Sequence, residues 1–408
     1  LTKLVALVAK DFRLLWRDRV ALVFLLVAPV VVISVAGFSL SSFYGSGTGG
    51  DGGAEYLLPV TDLDGSDTSR ELVSALERAP GLRLARVDEA EGRRLVSRTN
   101  RAGATLVIPS GFGTGFKQGQ AVRLQLWTDP VKHLEVLKIK AEVERVRAAL
   151  VAVQVAGRIA VIEVLTHAGD ADFEAVAEDA SHLASRLLDK SVKLEETSLT
   201  SSSLTFNTFD QNVPGFSVTF LMLGMLLGVG LGLVDEREWG MLYRLAAGPV
   251  AAAAPVIAKV ISRFAIGCAQ MVILFVFGRV AFDISLGPSL PALGLVILGV
   301  VFAASTFGLL IAALAPSRDS VLPLGTIAIV GMAAVGGCWW PITIEPQWLQ
   351  SLAHLFPTAW AMEAFNDLML RGRELADVWP AILAMVVFGA FYLTTGAWIY
   401  LKREERSR

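Results

Sequence analysis

Long uncharged runs separated by short polar segments dominate the chain, at residues 20–40, 213–234, 255–282, 288–315, 320–341 and 378–401. A helix of about 20 apolar residues crosses the hydrocarbon layer of a bilayer, so six transmembrane helices are predicted from these six runs. Five of the runs contain no Asp, Glu, Lys or Arg. The third carries Lys259 and Arg263 near its start and Arg279 near its end, where long side chains are expected to snorkel to the interface.

Between the first two runs, residues 41–212 have the mixed composition of a water-soluble domain. A glycine-rich tether, residues 45–53, leads into an alternating pattern. It predicts strands at 56–61, 82–87, 105–108 and 122–127, with helices at 67–78 and 88–100 between them. A long helix over 131–165 and an amphipathic piece over 172–190 follow, and a Ser/Thr-rich segment, 197–208, returns the chain to the membrane. The expected fold is therefore an α-helical polytopic membrane protein with an inserted α/β domain on a helical stalk.

Two shorter patterns are amphipathic. In residues 1–19, Leu4, Val5, Val8, Phe12, Leu15 and Trp16 recur at helical spacing among Lys3, Lys10, Arg13 and Arg17, which predicts a helix lying in the headgroup plane. Residues 342–377 hold two short helices, 346–356 and 358–370, broken at Pro357. They are expected to dip into the outer leaflet.

Composition sharpens this picture. A mean hydropathy of +0.57, with 54% hydrophobic and 18% charged residues, is too apolar for a soluble protein of 408 residues. Basic residues gather before the first run, around Arg237 and Arg244, at Arg318, and at Lys402, Arg403, Arg406 and Arg408. By the positive-inside rule these mark the cytoplasmic face. Both termini are then cytoplasmic, including the tail 402–408, and the inserted domain is extracytoplasmic, in a multi-pass protein of the cell membrane. Residues 1–19 ahead of the first run favour a retained anchor over a cleaved signal. Both cysteines, Cys268 and Cys338, fall in predicted spans, so the inserted domain holds no disulfide. The net charge of −2 offers no basis for nucleic-acid binding.

Catalytic patterns are missing. The glycine clusters 45–53 and 111–117 lack the Gly-Lys-Ser/Thr ending of a phosphate loop, and His133, His167, His182 and His354 have no metal-ligand spacing. No metal site, no cofactor and no enzymatic activity are expected of this chain.

A family resemblance rests on Val213-Pro214-Gly215, on Glu236-Arg237-Glu238 with Gly240 and Arg244-Leu245, and on Pro249, Lys259 and Gln270. It extends through Gly336-Gly337, Pro341, Trp348-Leu349, Pro357, Trp360 and Leu370-Arg371-Gly372, with Lys10-Asp11 and Arg17-Asp18 ahead of the first run. The chain resembles the permease subunits of ABC-2 type exporters over nearly its whole length. One departure is Met241, where the family has a small or hydroxyl residue.

The resemblance implies a half-transporter that joins a second permease chain, as homodimer or heterodimer, and separate ATP-binding cassette ATPase subunits that hold the ATP and Mg. It makes residues 235–250 a cytoplasmic coupling helix, with Glu236, Arg237, Glu238, Trp239, Gly240, Arg244 and Leu245 at the ATPase contact. Charged side chains beneath a rigid span suit force transmission, whereas a plain topology-setting loop is the simpler alternative. Gly224, Gly228 and Gly232, spaced for close helix approach, together with Gln270, Gly336 and Gly337, are candidates for the dimer interface or substrate path, with packing of the glycines inside one subunit as the alternative. Trp348, Pro357, Trp360 and Glu363, with Glu345, His354 and Asp367 nearby, are candidates for an outer gate, a simple interfacial loop being the plainer alternative.

The spans keep no carboxylate near mid-membrane, and Gln270 is their main polar side chain. This favours an amphipathic or lipophilic cargo, such as a drug, lipid or lipid-linked molecule, over an ion. Sodium or other small-ion efflux stays open, since backbone carbonyls also coordinate cations. So does a non-transporting membrane scaffold whose external domain binds an envelope partner. Membrane lipid is an expected partner in every case.

Overall fold

The computed structural model describes residues 2–45, 55–97, 101–118, 120, 122–166, 192–198, 207–240 and 254–407. The chain divides into two compact units, one of Leu1–Gly45 with Leu204–Arg408 and one of Ser46–Ser203.

The first unit is helical, and among the described residues six helices are long and apolar enough to cross a membrane: Arg19–Ser39, Thr208–Glu238, Ala254–Phe282, Leu290–Leu314, Arg318–Val335 and Leu375–Tyr400. The second and fourth spans are 72% and 78% buried over their most apolar windows, against 22%, 28% and 22% for the first, fifth and sixth. Two central helices are thus wrapped by the others. Lipid tails are as apolar as leucine, so helices in a bilayer gain little from hydrophobicity alone and associate by close packing. The fourth span accordingly buries Ala303, Ala304, Ser305, Thr306, Gly308, Ala312 and Ala313.

Helix ends differ from the sequence expectation where local chemistry intervenes. The second span begins at Thr208 because the Asn207 side chain accepts the Phe209 N–H at 3.0 Å. It runs on through Asp235–Glu238 and stops at Gly240, whose φ of +66° suits glycine. The charged cluster is therefore the last turn of the span itself. The fifth span ends at Val335, since Gly336 closes the helix and Gly337 turns at φ +78°. At Gly215 the second span meets the backbone carbonyl of Cys338 so closely that a Cβ would overlap it.

The second unit carries a five-stranded sheet in the order β2-β1-β3-β4-β5. The strands are β1 Tyr56–Asp62, β2 Leu82–Arg86, β3 Ala104–Ile108, β4 Val122–Thr128 and β5 Val192–Ser198. Neighbours β1/β2, β1/β3 and β4/β5 are parallel, while β3/β4 are antiparallel. Alternation assigns the faces. Leu58, Val60, Leu106, Ile108, Leu124 and Leu126 form a core with Leu72, Val73 and Leu76 of helix Asp67–Glu77 and Ile139 and Val143 of helix His133–Thr166. On the other face, helix Glu89–Ser97 places Gly92 against the Thr105 hydroxyl and the Arg93 guanidinium 4.1 Å from the Trp127 ring centre.

Strand β5 departs from the expectation of a Ser/Thr-rich exit starting at residue 197, because its Glu195-Glu196-Thr197 run hides a strand signal that pairing with β4 supplies. A short helix, Phe112–Gln118, replaces the glycine loop. The Asp64 carboxylate accepts the N–H groups of Gly111 at 2.8 Å and Gly113 at 2.9 Å. The piece expected over 172–190 lies outside the described residues.

Candidate functional site

A ring of charge joins three elements at one end of the helical unit. The N-terminal helix Thr2–Arg17 packs along the third span and delivers Lys10 and Asp11, while the last turn of the second span delivers Glu236 and the first turns of the third deliver Lys259 and Ser262. Glu236 Oε1 accepts hydrogen bonds from Lys259 Nζ at 2.9 Å and Lys10 Nζ at 3.0 Å. Asp11 accepts from the Ser262 hydroxyl at 2.8 Å and lies 3.5 Å from Lys259. Asp11, Glu236 and Lys259 are only 3%, 6% and 6% exposed. Lys259 therefore turns inward rather than snorkelling, because two buried carboxylates meet its ammonium.

Around this ring the remaining residues of the charged turn divide. Asp235 binds Arg318 Nε at 2.6 Å, and Glu238 accepts the Arg318 backbone N–H at 3.1 Å, tying the turn to the start of the fifth span. Arg237 is half-buried, and Trp239 is 66% exposed. Gly240 ends the helix, and Arg244 and Leu245 lie outside the described residues.

The residues assigned to a dimer interface or path have neighbours within this chain. Gly224 faces Leu25 and Gln270, Gly228 faces the Arg263 guanidinium, and Gly232 faces the Lys259 ammonium. Gln270 donates to the Leu25 carbonyl at 3.0 Å, within the π-helical stretch Val23–Val27 of the first span. A π-turn shifts the backbone ladder, and the amide satisfies the carbonyl there. Gly336 lies against Thr358, and the Gly337 carbonyl accepts from Gln211 at 2.8 Å.

Between the fifth and sixth spans lie the helices Gln347–Ala353 and Pro357–Met369. Pro357 opens the second, where its missing N–H costs nothing. Trp348 is 68% exposed. Trp360 donates its indole N–H to the His354 carbonyl at 2.8 Å, and the His354 ring lies 3.5 Å from Glu363. The Glu363 hydrogen bond raises the His354 pKa above its ordinary value, opposed by partial burial. Asp367 is held by Arg371 at 2.6 Å and Arg373 at 2.9 Å.

Sequence reasoning passed over Asp11, Ser262 and Arg318 as site residues. The Lys10-Asp11 pair was visible, but its partner Lys259 is 248 positions from Asp11, and no local pattern announces such a contact.

Six bilayer-length helices among the described residues, with a sheet unit inserted between the first two, give the class of a multi-pass membrane protein. The family model described as ABC-2 family transporter protein matches residues 19–398, so the chain belongs to that family and is an ABC-2 permease. It is 30% identical over 182 residues to the linearmycin resistance permease protein LnrN of Bacillus subtilis, covering 45% of this chain and 47% of that one. It is 23% identical over 188 residues to the probable multidrug ABC transporter permease YbhR of Escherichia coli, covering 46% and 50%. Over 165 residues it is 22% identical to ABC transporter G family member 20 of Dictyostelium discoideum, covering 40% and 23%. The chain matches about half the length of the first two of these relatives. Permeases of this kind are not themselves enzymes and in general work with an ABC ATPase.

Proposed function

We propose that the chain is the membrane-spanning part of an ATP-driven exporter that moves an amphipathic or lipophilic molecule outward, powered by separate ATPase subunits and paired with a second permease chain. The observation that carries this reading is the Lys10–Glu236–Lys259–Asp11 ring. It binds the N-terminal helix, the second span and the third span into one block. A push on such a block reaches the central helix of the bundle without being lost in a loose hinge. Arg237 and Trp239, on the same turn, are the side chains offered to the ATPase.

Basic residues beside this turn favour its placement in the cytoplasm, with the sheet unit outside. The cargo class draws support from the names of the relatives, a linearmycin resistance permease and a probable multidrug permease. It is also favoured by the ion-pair chemistry lying at the ends of the spans.

The test is purification of the chain from its native membrane with associated proteins, followed by ATPase assay of the complex. An ATP-binding subunit should co-purify, and Arg237→Glu with Trp239→Ala should uncouple hydrolysis from transport while insertion is retained. Transport by the isolated chain without ATP would refute the reading.

A further inference from the structure

In the sheet unit, the connections that leave β1 and β2 run to opposite faces. Helix Asp67–Glu77 follows β1 onto the leucine-rich core face, and helix Glu89–Ser97 follows β2 onto the face of Thr105 and Trp127. Open α/β sheets take ligands outside the carboxyl ends of their strands, and the carboxyl ends of β1 and β2 border a crevice. Here that crevice is a cleft of about 530 Å³, within the size range of small-molecule sites. Val60, Leu63, Val73 and Val87 give it an apolar lining, and Arg70 and Arg86 add guanidinium groups.

Hydrogen-bond accounting decides what would fit. Asp62 accepts from the backbone of Asp64 and Gly65 at 3.0 Å each and from the Ser69 hydroxyl at 2.7 Å. Asp88 accepts the Glu91 N–H at 2.7 Å, and Glu89 lies 3.5 Å from Arg93. Each acid lining the cleft already has a donor. The arginines are differently placed, since Arg70 uses one terminal nitrogen on Asp67 at 2.8 Å and Arg86 one on Glu77 at 2.9 Å. A guanidinium carries five N–H donors, so most of theirs stay uncommitted. Thr61, 4% exposed and also lining the cleft, has a hydroxyl with no hydrogen-bond partner among the described residues. Each of these acids is engaged at one or both oxygens, and the two guanidinium groups keep unused donors.

We infer that this cleft binds a small amphipathic anion, its carboxylate or phosphate oxygens held by Arg70 and Arg86 and its apolar body laid against Val60, Leu63, Val73 and Val87. Planar guanidinium forks match both oxyanions in bidentate geometry. The site lies wholly within the sheet unit and stands independently of the transport reading.

The experiment is calorimetric titration of the full chain in lipid nanodiscs with 1-naphthoate, 1-naphthyl phosphate and neutral 1-naphthol. At least one anion should bind saturably and about tenfold or more tighter than the naphthol, a difference of about 1.4 kcal/mol. Preference between the two anions identifies an organic acid or a phosphorylated compound as the natural ligand class. Arg70→Gln and Arg86→Gln should each weaken the anion about tenfold. Both side chains are largely exposed, so the fold should tolerate these changes, and an unaltered melting temperature checks this. Leu63→Trp, at a position 51% exposed, should block the cleft, whereas Arg83→Gln, on β2 outside it, should change nothing. Equal binding of naphthol, unchanged affinity in both arginine variants, or no saturable binding of either anion would overturn the inference.

Discussion

Glu236 and Lys259, on different spans, place Oε1 and Nζ 2.9 Å apart with side-chain exposures of only 8% and 7%. A buried charge is tolerated only while its counter-charge is present, and removing one partner of such a pair costs about 3–5 kcal/mol. Lys259→Met should therefore lower stability by that order, measured by denaturant unfolding in a lipid-like medium. Adding Glu236→Gln to it should recover part of the loss, because the orphaned charge is then gone. A Lys259→Met protein as stable as the native one would contradict the ring.

Glycine substitutions should separate sharply by position. At Gly215 an added methyl meets the backbone carbonyl of Cys338, which has no rotamer by which to withdraw. At Gly331 nothing among the described residues lies within 4 Å of the new Cβ. Gly215→Ala should thus destabilise by about 1–3 kcal/mol, at the upper end because the obstacle is backbone. Gly331→Ala should be neutral or slightly stabilising, by roughly 0.5–1 kcal/mol, through better helix propensity. Parallel thermal-shift curves in detergent compare the two directly.

In the sheet unit Asp64 holds two backbone N–H groups of the glycine loop. Asp64→Ala should cost about 1–2 kcal/mol, as loss of a helix-capping acceptor does. Hydrogen bonds, led by the Ser66 hydroxyl, lower the Asp64 pKa below 3.8. Its stabilisation is complete above that value and is lost as pH falls through the folded-state pKa. The melting-temperature gap between the native chain and Asp64→Ala should accordingly be constant from neutral pH to about 4.5 and shrink below 3.8. A gap that grew on acidification would have the wrong sign.

The His354–Glu363 pair titrates in the opposite sense. Its hydrogen bond raises the histidine above 6.5, so the stabilisation is fully present below that pH and fades as pH rises through the folded-state pKa. Glu363→Gln should therefore destabilise the chain at pH near 5.5 more than at pH near 8.5, both chosen about the ordinary histidine range. Melting curves at those two pH values test this, and equal effects at both would remove the pair from any pH response.

Much of the fold is legible in the chain. Uncharged runs are unambiguous over 20 or more residues, and strands β1 to β4 follow from alternation between Gly, Asp and Pro breaks. What escapes has long-range causes. β5 is polar in isolation and becomes a strand because β4 offers its edge. Lys259 looks like an interfacial lysine until Asp11 and Glu236 are folded beside it. The charged turn at Asp235–Glu238 was visible as chemistry, yet which of its residues face inward depended on partners on other elements. Sequence spacing carries periodicity within an element well, and carries almost nothing about which side chain from a distant element completes a charge.

The Gly215–Cys338 contact also gives the molecule an internal reporter. Cys338 is fully buried, whereas Cys268 is only partly covered. A membrane-permeant maleimide should leave the buried Cys338 untouched in the resting protein. Labelling of Cys338 under any condition would report a separation of the second span from the end of the fifth.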